Sequence, residues 1–451
     1  MIPCPHCATP NDPRSAQCMF CHNTIDPTRA GAPPGVTAGH GQTTEEAEQT
    51  LAFVTAIKAR IPWMTWTLAS SFAVMFLLQL YFGSGDASVS LGRMGALYGP
   101  WLREGNVWIL ISSEFLHVNA MHVIFNIIAL LSLAPMLEVL LGARRLFLAF
   151  VVSALLGSAL AAIPLVNITV GASGGIWGLM TLTAVLVLRP NALVPKGVAK
   201  AMRPRVVRAL VINAGISLIP GISMLGHLGG GIGGALLGLS GILFRDVRPV
   251  WGSRENADGL SGNRTPFWLA PATALLAAVV VASIGAAFVT GRPWDLLHAP
   301  TLERVNLGSS GLSLLVPREL RARKDETLPP ATHTWQFGDP VKDGLLIVVI
   351  ETHFEGLLSG TDVEAILETI KTADVMKVPP GFVATPVEHV LHAPRPWNVV
   401  RATAPDGSEY HKFVTLIGDN RVIVEFLTRS PAPAWRGREQ SIWDGLEGPN
   451  G

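Results

Sequence analysis

Seven runs of apolar residues between positions 62 and 290 constrain this chain more than any other feature; they lie at 62–82, 118–137, 145–166, 171–188, 206–221, 222–244 and 266–290. About 20 mostly apolar helical residues cross a bilayer. A buried helix of a soluble protein explains one such run, and it does not explain seven in succession. The fourth run is short, and the fifth is weakened by Asn213, Gly215 and Pro220. Charged residues make up 15% of the chain, against about 25% in ordinary soluble domains. That composition excludes a disordered or nucleic-acid-binding chain and argues against a purely soluble enzyme.

The net charge of +1 joins two unlike parts. Residues 1–291 carry 18 Lys/Arg and 12 Asp/Glu, whereas 292–451 carry 16 and 21. A soluble domain is therefore expected after the last apolar run. Basic loops mark the cytoplasmic side of a membrane protein. Loop 138–145 carries Arg144 and Arg145, and loop 189–208 carries six Lys/Arg and no acid. Loop 245–265 holds four Arg against three acids, while the alternate loops at 167–170 and near 221 are uncharged. All the basic loops share one parity. The N-terminus is then cytoplasmic, and an odd number of spans puts residues 292–451 outside. The Asn167-Ile-Thr169 sequon adds nothing, being too close to the membrane.

Ionisable groups inside spans are costly and mark candidate sites. The second run opens with His117, His122 and Asn126, the last two being i,i+4 and on one helix face. The fourth opens Gly171-Ala-Ser173-Gly174-Gly175-Ile-Trp177. The sixth opens Gly226-His227-Leu-Gly-Gly230, with Gly234 and Gly238 at steps of four. On the topology above, His117, His122, Ser173 and His227 all lie near the outer ends of inward-running helices. A nucleophilic serine needs an imidazole to take its proton, and its tetrahedral intermediate needs donors for the oxyanion. Four polar side chains at one depth supply those parts.

At these residues the chain resembles a rhomboid intramembrane serine protease. The G-x-S-G motif (Gly171 to Gly174), the H-x4-H-x3-N run (His117, His122, Asn126) and the histidine with glycines four apart (His227, Gly230, Gly234) carry the resemblance over about residues 60–245. It implies Ser173 as nucleophile and His227 as general base, a dyad without aspartate. It also implies an oxyanion hole of the Ser173 N–H with the His122 and Asn126 side chains. Trp177 stands where the family commonly has a tyrosine packed on the catalytic histidine. The chain departs from the family at Trp108, which is followed by Ile109 rather than arginine; this touches loop stability, not the chemistry.

Each feature alone has a plainer reading. Glycine and serine let membrane helices approach closely, and that reading is kept for Gly230, Gly234 and Gly238, whose packing on the fourth helix would bring His227 to Ser173. Asn126 alone could be interhelical glue, and Trp177 alone an interface anchor. His117 supports the loop above the site, and Glu114 is expected to be solvated. The alternative function is a catalytically inactive relative that binds transmembrane clients; inactive members usually lack the serine or the histidine, and both are present here. A small-solute transporter would show inverted repeats and midplane helix breaks, which this chain does not.

All four cysteines lie in the first 21 residues, as Cys4-x-x-Cys7 and Cys18-x-x-Cys21. Two such knuckles can hold one structural Zn²⁺ tetrahedrally, in a segment that resembles a zinc ribbon. Two disulfides are the alternative, disfavoured by the short spacing and a reducing compartment. His6 and His22 could substitute as ligands. No cleaved signal peptide is expected. Residues 24–43 read as a flexible linker, and 44–60 as an amphipathic helix with Leu51, Val54 and Ile57 on its apolar face.

After the last run, strands are expected at 312–316, 345–352, 398–403, 411–417 and 422–427. Thr361 with Glu364 forms a capping-box candidate that opens a helix to about Asp374. Turns at Pro405-Asp406-Gly407 and Gly418-Asp419-Asn420 join the last three strands into a meander. His333, His353, His389 and His392 are scattered and form no catalytic set. The expected architecture is a membrane all-α protein: a zinc ribbon (1–23), a linker and amphipathic helix (24–60), a six-helix rhomboid-like core (61–245), a cytoplasmic loop with a seventh transmembrane helix (246–291), and an extracytoplasmic α+β domain (292–451). Its expected partners are transmembrane protein substrates and membrane lipid in the cell (inner) membrane, with no nucleic acid and no cofactor for catalysis.

Overall fold

The computed structural model describes residues 2–4, 9–11, 15–18, 20–21, 23–25, 44–85, 87–164, 168–189, 191, 193–251, 266–298, 301–307, 311–318, 320, 322–328, 331–340, 343–354, 362–392, 395–429 and 439–447. His6, Cys7, His22, Asn167, Thr361, most of the 24–43 linker and residues 252–265 of the third basic loop lie outside them. The chain divides into two compact units, Met1–Leu78 with Gly95–Ala287, and Gln79–Met94 with Phe288–Gly451.

Two short strands, β1 (Ile2–Pro3) and β2 (Pro10–Asn11), pair antiparallel at the N-terminus. The helices that follow are α1 (Thr44–Lys58), α2 (Trp63–Phe82), the short turns α3 (Ala87–Ser90), α4 (Gly99–Arg103) and α5 (Ile109–Ser112), then α6 (Ala120–Leu141), α7 (Ala143–Ala161), α8 (Ser173–Leu188), α9 (Lys196–Ile216), α10 (Met224–Ser240) and α11 (Leu269–Gly291). Helices α2, α6, α7 and α11 are long and apolar enough to cross a membrane, and α8 and α10 are apolar but shorter.

Local chemistry sets several boundaries. The Glu138 carboxylate of α6 accepts the Met64 and Thr65 N–H groups at 2.9 and 2.8 Å and the Thr65 hydroxyl at 2.7 Å. It thus satisfies amides at the start of α2 that have no acceptor within their own helix. Gly142, at φ +86°, turns the chain from α6 into α7. Helix α9 departs from expectation. It begins at Lys196, so most of the basic stretch read as a loop is helical. Lysine and arginine are good helix formers, and charge alone does not end a helix. In α1 the buried residues are Ala47, Thr50, Phe53 and Val54, while Leu51 is exposed. The buried face is therefore turned from the predicted one, toward the bulkier Phe53.

The second unit is built on an eight-stranded sheet. Its strands are β5 (Ala322–Leu328), β6 (Thr332–Asp339), β7 (Leu345–His353), β8 (Val383–Ala384), β9 (Glu388–His392), β10 (Arg395–Thr403), β11 (Glu409–Ile417) and β12 (Asn420–Thr428). The order is β5-β6-β7-β12-β11-β10-β8, with β9 also on β10. A separate hairpin joins β3 (Leu302–Leu307) to β4 (Leu312–Pro317). Strands β10, β11 and β12 form the meander that the two turn signals predict. Leu345, Ile347 and Val349 of β7 alternate into a core with Val422, Val424, Phe426 and Trp397, as period-two side chains must. Strands β3, β5, β6, β8 and β9 carry too little apolar alternation to be read in advance. The helix α12 runs Val363–Ile370, shorter than expected, and its N-cap is Asp362, whose side chain accepts the Glu364 N–H at 3.0 Å. A second helix, α13 (Glu439–Asp444), covers the core with Ile442 and Trp443. Within this unit the buried Arg93 guanidinium pairs with Asp343 at 3.0 Å and Asp295 at 3.6 Å.

Candidate active site

Ser173 is the first residue of α8. The chain enters through Gly171 at φ +121°, with its N–H bonded to the Ser113 carbonyl at 3.0 Å. A Cβ there would lie 2.6 Å from Cε1 and 2.7 Å from Nε2 of His122. Both the positive φ and the close approach require glycine. The turn therefore delivers Ser173 to a helix N-terminus, where negative charge is favoured, with His122 and Asn126 beside it.

His227 lies in the first turn of α10, which the Ser223 side chain caps by accepting the Gly226 N–H. Helices α8 and α10 meet backbone to backbone. A Cβ on Gly230 would lie 1.9 Å from the Gly174 carbonyl oxygen, and one on Gly234 would lie 1.9 Å from that of Gly178. This contact brings His227 Nε2 to 2.9 Å from Ser173 Oγ. Thr181 adds a hydroxyl bond to the Gly231 carbonyl at 2.8 Å across the same seam. Trp177, one turn below Ser173, stacks on the imidazole with centroids 5.6 Å apart and planes 28° apart. The other imidazole nitrogen, Nδ1, is 2.6 Å from Ser217 Oγ. Sequence reasoning passed over Ser217, because a lone serine at the end of the weakest apolar run carries no motif.

The N-terminus of α6 supplies the facing groups. Asn119 caps it by accepting the His122 N–H at 2.9 Å. Asn126 is buried, and its Nδ2 has no hydrogen-bond partner among the described residues. A buried amide donor without an acceptor is costly unless a ligand supplies one. His117 is not brought to the dyad. It is fully buried against Phe72, with its ring edge-on to that of His122 at 5.1 Å.

Glu114 corrects the sequence reading. It is buried rather than solvated, and its Oε1 accepts the Ser158 hydroxyl at 2.6 Å. A Cβ on Gly174 would lie 3.7 Å from both its oxygens. Burial pushes its carboxyl well above the usual carboxylate range. It lies on the short turn after α5, whose neighbours Ser113 and Phe115 are also buried. A charged letter in a loop gives no sign of that. Ile109, where the family's arginine is missing, is buried in α5.

A second cluster lies at the N-terminus. The sulfurs of Cys4, Cys18 and Cys21 all lie within 4.8 Å of one another. Cys18 Sγ accepts the N–H groups of Phe20 at 3.4 Å and Cys21 at 3.5 Å, with the Asn11 amide also at 3.5 Å. Amides aimed at a sulfur favour a thiolate, so the donor set is compatible with a metal ion. In the second unit, His353 and His389 bond to Asn420 and Asn398, and His333 and His392 stack on Trp335 and Trp443.

The family model for the Rhomboid domain matches residues 104–244. RHOMBOID-like protein 7 of Arabidopsis thaliana is 32% identical over 157 residues, 34% of this chain and 49% of that protein. YdcA of Bacillus subtilis (strain 168) is 32% identical over 37% of this chain and 83% of its own length. The rhomboid protease GluP of the same bacterium is 28% identical over 38% of this chain and 34% of its own. The chain spans about half the length of the first curated relatives it matches. The Rhomboid match takes in the H-x4-H-x3-N run, the G-x-S-G turn and the glycine-lined α10, and YdcA is similar over most of its length, so this multi-pass membrane protein belongs to the rhomboid family.

Proposed function

We propose that the chain is an intramembrane serine endopeptidase that cleaves transmembrane proteins near the outer face of the membrane with a Ser173–His227 dyad. What carries this reading is a serine–imidazole pair at 2.9 Å, with the imidazole buried, beside a buried amide donor that has no partner among the described residues. His227 Nε2 takes the Ser173 proton as Oγ attacks the substrate carbonyl. The oxyanion meets the Ser173 N–H, His122 and Asn126 Nδ2. The imidazolium returns the proton to the leaving amine, and water then opens the acyl-enzyme by the same route. A stable helix hides its carbonyls in its own hydrogen bonds, so the substrate must unwind locally before attack. Asn126→Ala or His122→Ala should lower turnover of a single-span reporter by about 10²-fold while the thermal midpoint changes little. Unchanged turnover in both would make the two residues interhelical glue.

The same proposal takes residues 61–245 as a six-helix protease core, 246–291 as a loop with a seventh span, and 292–451 as an extracytoplasmic accessory domain. The N-terminus is cytoplasmic and the membrane is the cell (inner) membrane. A reporter active only outside the cytoplasm should be active when fused after Gly451 and silent within 190–204. A cytoplasmic signal from the C-terminal fusion would make the span count wrong by one.

Cys4, Cys7, Cys18 and Cys21 hold one structural Zn²⁺ in a ribbon over residues 1–23. Elemental analysis of the purified protein should find about one zinc per chain. A Cys4→Ser, Cys21→Ser double variant should contain none and still cleave the reporter, because the ribbon and the dyad are on opposite sides of the membrane. Zinc retained by that variant would exclude this ligand set.

A further inference from the structure

The least explained contact of the dyad is the one on its far side. Ser217 caps the C-terminus of α9 and is buried, with its Oγ 2.7 Å from the Asn213 carbonyl oxygen and 2.6 Å from His227 Nδ1. A hydroxyl has one proton to donate and lone pairs to accept with. The Asn213 carbonyl is an acceptor only and takes that proton. Toward His227 the serine then offers a lone pair, so Nδ1 must carry the hydrogen. In the neutral imidazole this leaves Nε2 with its lone pair exposed, and Nε2 is the atom 2.9 Å from Ser173 Oγ. Every donor in the chain points one way: Ser173 O–H to Nε2, Nδ1–H to Ser217 Oγ, and Ser217 O–H to the Asn213 carbonyl. The reverse tautomer would aim N–H at the nucleophile and leave no base. Among the described residues Ser217 Oγ is the only hydrogen-bond partner of Nδ1.

We propose that Ser217 is a positioning residue for the dyad, holding His227 in the tautomer whose Nε2 can accept the Ser173 proton; this rests on the proteolytic reading above. When Nε2 takes that proton, the ring becomes a cation and the Nδ1–H bond to Ser217 becomes charge-assisted and stronger. The contact therefore stabilises the state that forms during attack more than the resting state, as catalysis requires. In a soluble triad a buried carboxylate orients the imidazole. An anion within a bilayer is costly, whereas a hydroxyl already bonded to its own helix orients the ring without bringing a charge. Since Ser217 ends α9 and His227 begins α10, the bond also ties the base to the position of α9.

The test compares Ser217→Ala, the isosteric pair Ser217→Thr and Ser217→Val, and Ser173→Ala, all as full-length protein in proteoliposomes. Turnover of a single-span reporter and the rate of fluorophosphonate labelling are measured for each. The ¹⁵N ring shifts of His227, identified by difference from His227→Gln, report the tautomer without requiring activity. Ser217→Ala and Ser217→Val should lose about tenfold in kcat and in labelling rate, the equivalent of one hydrogen bond, with KM within about twofold. Ser217→Thr should recover most of the loss. The wild-type spectrum should show the Nδ1–H tautomer alone, and Ser217→Ala a mixture. If Ser217→Val fails to fold, Ser217→Ala carries the comparison. The inference is overturned by a wild-type Nε2–H tautomer, by a spectrum unchanged in Ser217→Ala, or by Ser217→Thr losing as much as Ser217→Val. Cleavage equal in wild type and Ser173→Ala would instead sink the proteolytic reading, and the ring spectrum would still decide the tautomer.

Discussion

Ser173→Ala and His227→Ala proteins, reconstituted with a single-span reporter, will each lose cleavage by about 10⁴-fold or more, as loss of nucleophile or base does in soluble serine proteases. Both will remain folded and inserted, because each change removes a few atoms from the end of a helix whose packing lies elsewhere. Ser173 Oγ bonds to His227, whereas the grip between α8 and α10 comes from Gly174, Gly178, Gly230 and Gly234. A fluorophosphonate will label the wild type and not Ser173→Ala. The client-binding alternative makes a different forecast: the wild type would neither cut nor take the label, and Ser173→Ala would bind a transmembrane client as well as the parent. A folded Ser173→Ala protein that still cuts would remove the dyad mechanism altogether.

A Gly234→Val protein should lose activity as completely, for a reason outside the chemistry. Its Cβ would lie 1.9 Å from the Gly178 carbonyl oxygen and 2.5 Å from the carbonyl carbon. These are backbone atoms, so no rotamer change relieves the clash and one helix must move. Overpacking of this kind costs about 1–3 kcal/mol or more, and the shift withdraws His227 from a contact that tolerates only tenths of an ångström. Activity should fall by at least about 10²-fold, with a lowered thermal midpoint. Gly230→Ala should behave similarly, since its Cβ would meet the Gly174 carbonyl oxygen at 1.9 Å. Gly215→Ala is the internal control: it lies in α9 with nothing within 4 Å of its Cβ, and alanine favours a helix by up to about 1 kcal/mol. Full activity in Gly234→Val would mean that the two helices can separate without cost to the dyad.

Much of this was readable in the letters. Apolar runs end where helices end, to within a few residues, for α2, α6, α8 and α11, because an apolar solvent leaves a backbone little choice but to bond to itself as a helix. The glycine steps of α10 predicted its contact with α8, since only an absent side chain permits backbone approach. In the second unit, the alternation in β7, β10, β11 and β12 was strong because these strands are central and bury a continuous face. The misses have physical causes too. Helix α9 starts about ten residues before the expected run because its first turns are basic, and helix propensity does not require apolarity. Glu114 looks solvent-facing in one dimension, yet Ser158, 44 residues away, supplies its partner.

The sequence by itself determined which residues could do chemistry and in what order along the chain. Serine, imidazole and amide types recur at the starts of three apolar segments, and both composition and the lipid solvent restrict those segments to helices. It also determined the close seam, because a glycine is a statement about backbone distance. Only the tertiary structure decided the directions of the hydrogen bonds. Whether His227 turns Nε2 or Nδ1 toward Ser173 depends on what accepts at its far side. That acceptor is Ser217, ten residues earlier and on another helix. Likewise, the Asn126 amide becomes visible as a spare donor only once its neighbours are packed and none among the described residues accepts from it. Side-chain type is local information; hydrogen-bond satisfaction is a property of what surrounds the group, and that is settled when the helices assemble.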